Sequence, residues 1–87
     1  MFNTIINNIL LAYPQTEAIY VYGSYARGKE TATSDIDICI YMSGDVMRYD
    51  FDLNDQISDT VGKQVHCVFC TELNEWCEKE IYNKNNN

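Results

Sequence analysis

Basic residues are scarce in this sequence: six lysines and arginines stand against thirteen aspartates and glutamates, for a formal net charge of -7. A long polyanion is gripped by lysine and arginine, so duplex or single-stranded nucleic acid is not expected as a partner. A metal-bridged mononucleotide escapes that objection, because divalent cations supply the positive charge the chain lacks. No apolar run approaches the roughly 18 residues needed to span a bilayer, and no basic, apolar and small-residue signal segment opens the chain. The expected setting is a soluble, cytoplasmic protein with no membrane partner, in which Cys39, Cys67, Cys70 and Cys77 remain free thiols. Neither an internal repeat nor a linker divides the 87 residues. A single domain of this length buries only about 60 to 65% of its unfolded surface, so the core must be thin: one sheet with a few helices. The 46% of hydrophobic residues is nevertheless too many for a disordered segment.

Periodicity orders the chain. From Asn3 to Tyr13, Ile5, Ile6, Ile9, Leu10 and Tyr13 recur at helical spacing, and Pro14 ends the helix. Ala18 to Tyr22 is a β-branched and aromatic run that stops at Gly23, and a short polar stretch to Gly28 reads as one or two helical turns capped by Ser24. Asp35 to Met42 alternates, with Ile36, Ile38, Ile40 and Met42 on the core face and Asp35, Asp37, Cys39 and Tyr41 on the other. Val46, Tyr49, Leu53, Ile57 and Val61 form a helical stripe that stops at Gly62. A strand at Val65 to Cys70 follows, and Thr71 is expected to cap a last helix with Leu73, Trp76, Cys77 and Ile81 inward. The expected order is αβαβαβα, an α/β domain over residues 1–82 with a frayed, Asn-rich tail at 83–87.

The chemistry lies between the first two strands: Gly23-Ser24, ten residues, then Asp35-Ile36-Asp37. Residues i and i+2 of a strand share a face, so Asp35 and Asp37 can set two carboxylates around one pair of metal ions. Gly23 leaves room for a phosphate at the backbone, and Ser24 offers a hydroxyl beside free amides. Arg27 and Lys29 are within reach of such a phosphate, with a solvent-exposed or structural role equally open. Either piece alone would be an ordinary turn or strand start.

Together, GSYARG followed by SDIDICI resembles the nucleotidyltransferase superfamily of the DNA polymerase β type. Its smallest branch, the minimal nucleotidyltransferases that act as MntA-like antitoxins beside HEPN-domain toxins, is the most similar. The resemblance implies a small mixed β-sheet covered by helices on one face. It further implies transfer of an NMP group, AMP from ATP, to a hydroxyl of a partner protein, foremost a HEPN toxin, with two Mg2+ ions on Asp35 and Asp37. Gly23, Ser24 and Arg27 would then contact the nucleotide. Larger relatives carry an added domain that walls the site, so here a partner or a second copy is expected to supply that wall.

The family's third carboxylate falls at His66, which leaves three readings open. The imidazole acts as general base, or it marks a degenerate enzyme that neutralises a partner by binding alone, or it is a plain strand histidine. Asp50, Asp52, Asp55 and Glu72 are read as a solvated helix face and a helix N-terminal charge. His66, Cys67, Cys70 and Cys77 are not read as a zinc set, because residues three apart on a strand, such as Cys67 and Cys70, face opposite sides. Tyr20, Tyr22, Tyr25, Tyr41 and Tyr49 could stack a nucleobase, but tyrosines on strands are more often packing residues and none is assigned to the base.

Overall fold

Isoleucines one helical turn apart define the first element: α1 (Phe2–Ala12) turns Ile5 and Ile9 inward, and both are wholly buried. In the computed structural model, which describes residues 1–86, there follow β1 (Ala18–Tyr22), a 3-10 turn at Gly23–Tyr25, β2 (Ile36–Tyr41), α2 (Phe51–Val61), β3 (Val65–Cys70) and β4 (Lys79–Asn83). A second 3-10 turn, Lys84–Asn86, closes the described chain. The sheet runs β3-β2-β1-β4, with β2 and β3 parallel and β1 antiparallel to both β2 and β4, so it is mixed as expected. Ile36, Ile38, Ile40 and Met42 are sealed in the core that α1 and α2 close, joined by Ile19, Val21, Val65 and Cys67. All four cysteines are free thiols. Among the described residues, no helix is long and apolar enough to cross a membrane.

The α2 helix starts later than the apolar stripe implied. Asp50 is its N-cap and accepts from the Leu53 amide at 3.0 Å, while Val46 and Tyr49 precede the helix. The segment before the cap is held extended because the Arg48 carbonyl accepts from the Phe69 amide at 3.0 Å, along the outer edge of β3. Two side chains of α2 continue that role. Asn54, 2% exposed, accepts from the Cys67 amide and donates to the Cys67 carbonyl, and Ser58 Oγ accepts from the Val65 amide at 2.9 Å. An edge strand is thereby satisfied by a helix instead of a neighbouring strand. Gly62, with φ 75°, ends α2 in the left-handed conformation the sequence predicts.

The expected last helix does not form. Leu73, Trp76 and Cys77 have helical spacing, yet Leu73 is 63% exposed and the chain from Glu72 to Glu78 crosses the sheet as an irregular strap before entering β4. The competing demand is the free edge of β1, whose backbone is satisfied by β4 through the pairs Ala18 with Asn83 and Tyr20 with Glu80. The observed order is thus αββαββ, and Ile81 belongs to a strand. The tail expected to fray from Asn83 is anchored at its start: Asn83 ends β4, and the Lys84 amide donates to the Glu17 carbonyl at 2.8 Å. Asn87 lies outside the described residues.

Asp50 also joins the two helices, because the Tyr13 hydroxyl donates to its carboxylate. That bond and the Leu53 amide hold the Asp50 carboxyl below the usual aspartate range, and the same bond, with burial, pushes Tyr13 up to about 12. The aspartate's contribution to stability is full above its unfolded value of about 3.9 and is lost as pH falls through the folded value. The tyrosine's is full below its unfolded value of about 10 and is lost as pH rises through about 12. Asp50→Ala should lower the unfolding free energy by about 1 to 2 kcal/mol in urea at pH 7. The smaller deficit of Tyr13→Phe should vanish at both pH extremes; a deficit that persists in acid would contradict the assigned bond.

Candidate functional site

The antiparallel register sets Tyr22, the last residue of β1, opposite Asp37 near the start of β2. The chain leaving β1 therefore turns directly over the Asp37 side chain. Gly23 makes that turn with φ +72°, a conformation glycine adopts freely. A Cβ on Gly23 would stand 2.5 Å from Asp37 Oδ2, well inside contact distance, so the carboxylate lies against bare backbone. Beyond Gly23 the 3-10 turn is closed by its carbonyl, which accepts from the Ala26 and Arg27 amides at 3.1 and 3.3 Å. Ser24 is not the expected cap: Tyr22 holds that position, and Ser24 is the middle, half-exposed residue of the turn.

The parallel register then brings His66 of β3 beside Asp37, and His66 Nε2 lies 3.4 Å from Asp35 Oδ2. Asp35, Asp37 and His66 thus form one corner of the sheet face opposite the helices, with Gly23 above it. The Asp35 and His66 side chains are 52% and 41% exposed, so the corner is open to water. Burial pushes the Asp37 carboxyl up, the nearby imidazole pulls it down, and Asp35 pushes it up again. Tyr22 is pushed up to about 12 by burial and by the negative charge of Asp37. Two carboxylates on one strand face, beside bare glycine backbone, are oxygen donors of the kind a divalent cation takes.

Of the residues the sequence singled out, Gly23, Ser24, Asp35, Asp37 and His66 are brought together. Arg27 is engaged elsewhere: its Nη2 and Nε donate to the Glu78 carboxylate at 2.9 and 3.3 Å. Asp50 caps α2 and takes no part in this corner. The strap from Glu72 to Glu78 is the feature that sequence reasoning missed. It lays Trp76 on Tyr22, with ring centroids 5.8 Å apart and planes 14° apart, beside Asp37. A signal for it exists in Asn74, whose side chain accepts from the Trp76 amide at 2.8 Å, the local bond by which asparagine favours turns over helices.

Comparison with known proteins identifies the family and the fold. Residues 4–87 match the family described as "Polymerase beta, Nucleotidyltransferase". A Methanocaldococcus jannaschii protein named "Putative protein adenylyltransferase" is 39% identical over 70 residues, which are 77% of this chain and 70% of that protein. The crystal structure of a toxin-antitoxin with AMP-PNP contains a chain that matches with a TM-score of 0.80 at 21% identity, over 97% of this chain and 74% of that one. A chain from the structure of a tri-AMPylated Shewanella oneidensis HEPN toxin in complex with MNT antitoxin matches with a TM-score of 0.71 at 19% identity, over 97% and 71% of the two chains. At these identities the structural matches establish a common fold.

Gly23 and Gly28 share a positive φ, 72° and 68°, but nothing lies within 4 Å of a Cβ built on Gly28. Gly28→Ala should therefore incur only the left-handed penalty of about 1 to 2 kcal/mol. Gly23→Ala should cost at least about 1 kcal/mol more, because the new methyl must displace Asp37. The excess should disappear in Gly23→Ala/Asp37→Ala, as a double-mutant cycle by urea denaturation can measure. Equal costs at the two glycines would show that the carboxylate does not rest on Gly23.

Proposed function

The chain belongs to the polymerase β-type nucleotidyltransferase family, and we propose that it transfers AMP from ATP to a hydroxyl of a partner protein, with Mg2+ held by Asp35 and Asp37. The observation that carries this reading is the contact of the Asp37 carboxylate with the bare Gly23 backbone, which sets a positive-φ turn directly beside a pair of carboxylates. Two Mg2+ ions, when bound, neutralise the triphosphate oxygens and the departing pyrophosphate. The chain's own groups do the rest. The Gly23 backbone and the Ser24 hydroxyl take the β- and γ-phosphates, and Arg27 exchanges Glu78 for them, an exposed ion pair that costs little to open. His66 accepts the proton of the acceptor hydroxyl. The acceptor oxygen then bonds the α-phosphorus as the bond from that phosphorus to the β-phosphate oxygen breaks, and pyrophosphate leaves.

The relatives support the choice of substrate and partner. One is named for protein adenylyltransfer, one solved structure holds AMP-PNP, and another pairs an AMPylated HEPN toxin with its MNT antitoxin. The partner we propose is accordingly a HEPN-domain toxin, with this chain as its antitoxin. Binding without transfer is the second reading, favoured by one feature: an imidazole, His66, where the family's third carboxylate is expected.

Calorimetry should show ATP binding that depends on Mg2+ and weakens at least about tenfold, or roughly 1.4 kcal/mol, in both Asp35→Asn and Asp37→Asn. Undiminished binding in both variants would remove this corner from the proposal. With ATP labelled on the α-phosphate and the partner encoded beside it, wild type should label the partner, and His66→Ala should lose about 100-fold or more in rate. His66→Asp should retain transfer. An inert wild type beside an active His66→Asp would establish the binding-only reading, and equal rates in wild type and His66→Ala would take His66 out of the reaction.

A further inference from the structure

On the sheet face that carries Asp37, a second constellation lies two residues further along β2. The Sγ atoms of Cys39, Cys70 and Cys77 all lie within 4.8 Å of one another. They come from three separate stretches: Cys39 from β2, Cys70 from the end of β3, and Cys77 from the strap between β3 and β4. We propose that these three thiols form a zinc site that shares no ligand with the Asp35 and Asp37 corner.

The geometry is close to what the ion needs. Zinc–sulfur bonds of about 2.3 Å put the sulfurs of a tetrahedral set about 3.8 Å apart, so the thiols must close by at most about 1 Å per pair. The Asn74 carboxamide oxygen, 3.9 Å from Cys77 Sγ, or a water molecule stands available for the fourth position. Cys39 is wholly buried and Cys70 8% exposed, which shields the coordinated sulfurs. A cleft of about 320 Å³ lined by Cys70, Glu72, Asn74 and Trp76 opens beside one of the three thiols. Binding releases one proton from each thiol, and three thiolates on a divalent ion carry a net charge of about -1, against about -2 on a monovalent one. In a chain already at -7, the divalent ion is the better match.

Sequence spacing argued against the set His66, Cys67, Cys70 and Cys77 because Cys67 and Cys70 face opposite sides of β3, as they do. Cys67 faces the helices, and His66 sits with Asp35 and Asp37. The missing ligand was Cys39, which only the β2–β3 pairing brings to Cys70. A bound ion would fasten the strap to two strands and so fix Trp76 on Tyr22 as a wall beside Asp37.

The test uses the full chain, reduced, titrated with Co2+ and then Zn2+. One Co2+ per chain should bind with sulfur-to-cobalt charge-transfer absorption, stoichiometric Zn2+ should displace it, and Zn2+ should raise the melting temperature. Loss of residues that merely support a metal site weakens binding by about 10- to 100-fold, so Cys77→Ser, which removes a ligand, should weaken it by at least about 100-fold. The absorption should persist in Asp35→Asn. Zinc should also slow alkylation of Cys77 in the wild type, a readout that needs no variant to fold. Absent charge-transfer absorption, undiminished binding in Cys77→Ser, loss of the signal in Asp35→Asn, or alkylation indifferent to zinc would each overturn the proposal.

Discussion

The Asp37 carboxylate occupies space that a side chain on Gly23 would need, and the whole site is arranged round that contact. Because β1 and β2 are antiparallel with Tyr22 opposite Asp37, the turn after β1 has to pass over the carboxylate. Because β2 and β3 are parallel with Asp37 beside His66, the imidazole arrives at the same corner from 29 residues further along the chain. The same strand that presents Asp37 buries Ile36, Ile38 and Ile40 on its other face, so the core fixes the direction of the acidic side chains. A slip of one residue in β2 would bury the aspartates and expose the isoleucines, which is why fold and site cannot be separated here.

Two edges explain the rest of the architecture. Among the described residues the outer edge of β3 has no neighbouring strand; Asn54, Ser58 and the Arg48 carbonyl satisfy its backbone, and this draws α2 against it. The outer edge of β1 is satisfied by β4, which lies at the far side of the sheet from β3. The chain must therefore travel across the open face, and that path leaves Trp76 over Tyr22, Glu78 on Arg27, and Cys77 near Cys39 and Cys70. The strap thereby sets an aromatic pair, Trp76 on Tyr22, beside Asp37.

Much of this was legible in the sequence where periodicity and local chemistry agreed. The isoleucines of β2, the stop at Gly62 and the Gly23 turn followed directly from spacing and from the demands of a left-handed backbone. The strap and β4 were not legible, because Leu73, Trp76 and Cys77 repeat at helical spacing while what decides their fate is the strand edge of β1, more than 50 residues earlier. The start of α2 was overestimated for a similar reason: Val46 and Tyr49 extend the apolar stripe, but Asp50 caps the helix and Arg48 is held by Phe69. In the candidate site, the i, i+2 spacing put Asp35 and Asp37 on one strand face, whereas His66 was singled out only through the family resemblance. The engagement of Arg27 by Glu78 and the convergence of three thiols depend on tertiary pairing that no local pattern records.

The central claim is that the corner formed by Gly23, Asp35, Asp37 and His66 receives a metal-bound nucleotide. It is tested most directly by NMR of the isotopically labelled chain with AMP-PNP and Mn2+, whose paramagnetism broadens nearby resonances. The expected result is selective loss of the backbone signals of Gly23, Ser24, Asp35 to Asp37 and His66, with signals of the acidic α2 helix around Asp52 and Asp55 unaffected. Broadening centred on α2, or broadening that does not require the nucleotide to be present at this corner, would contradict it.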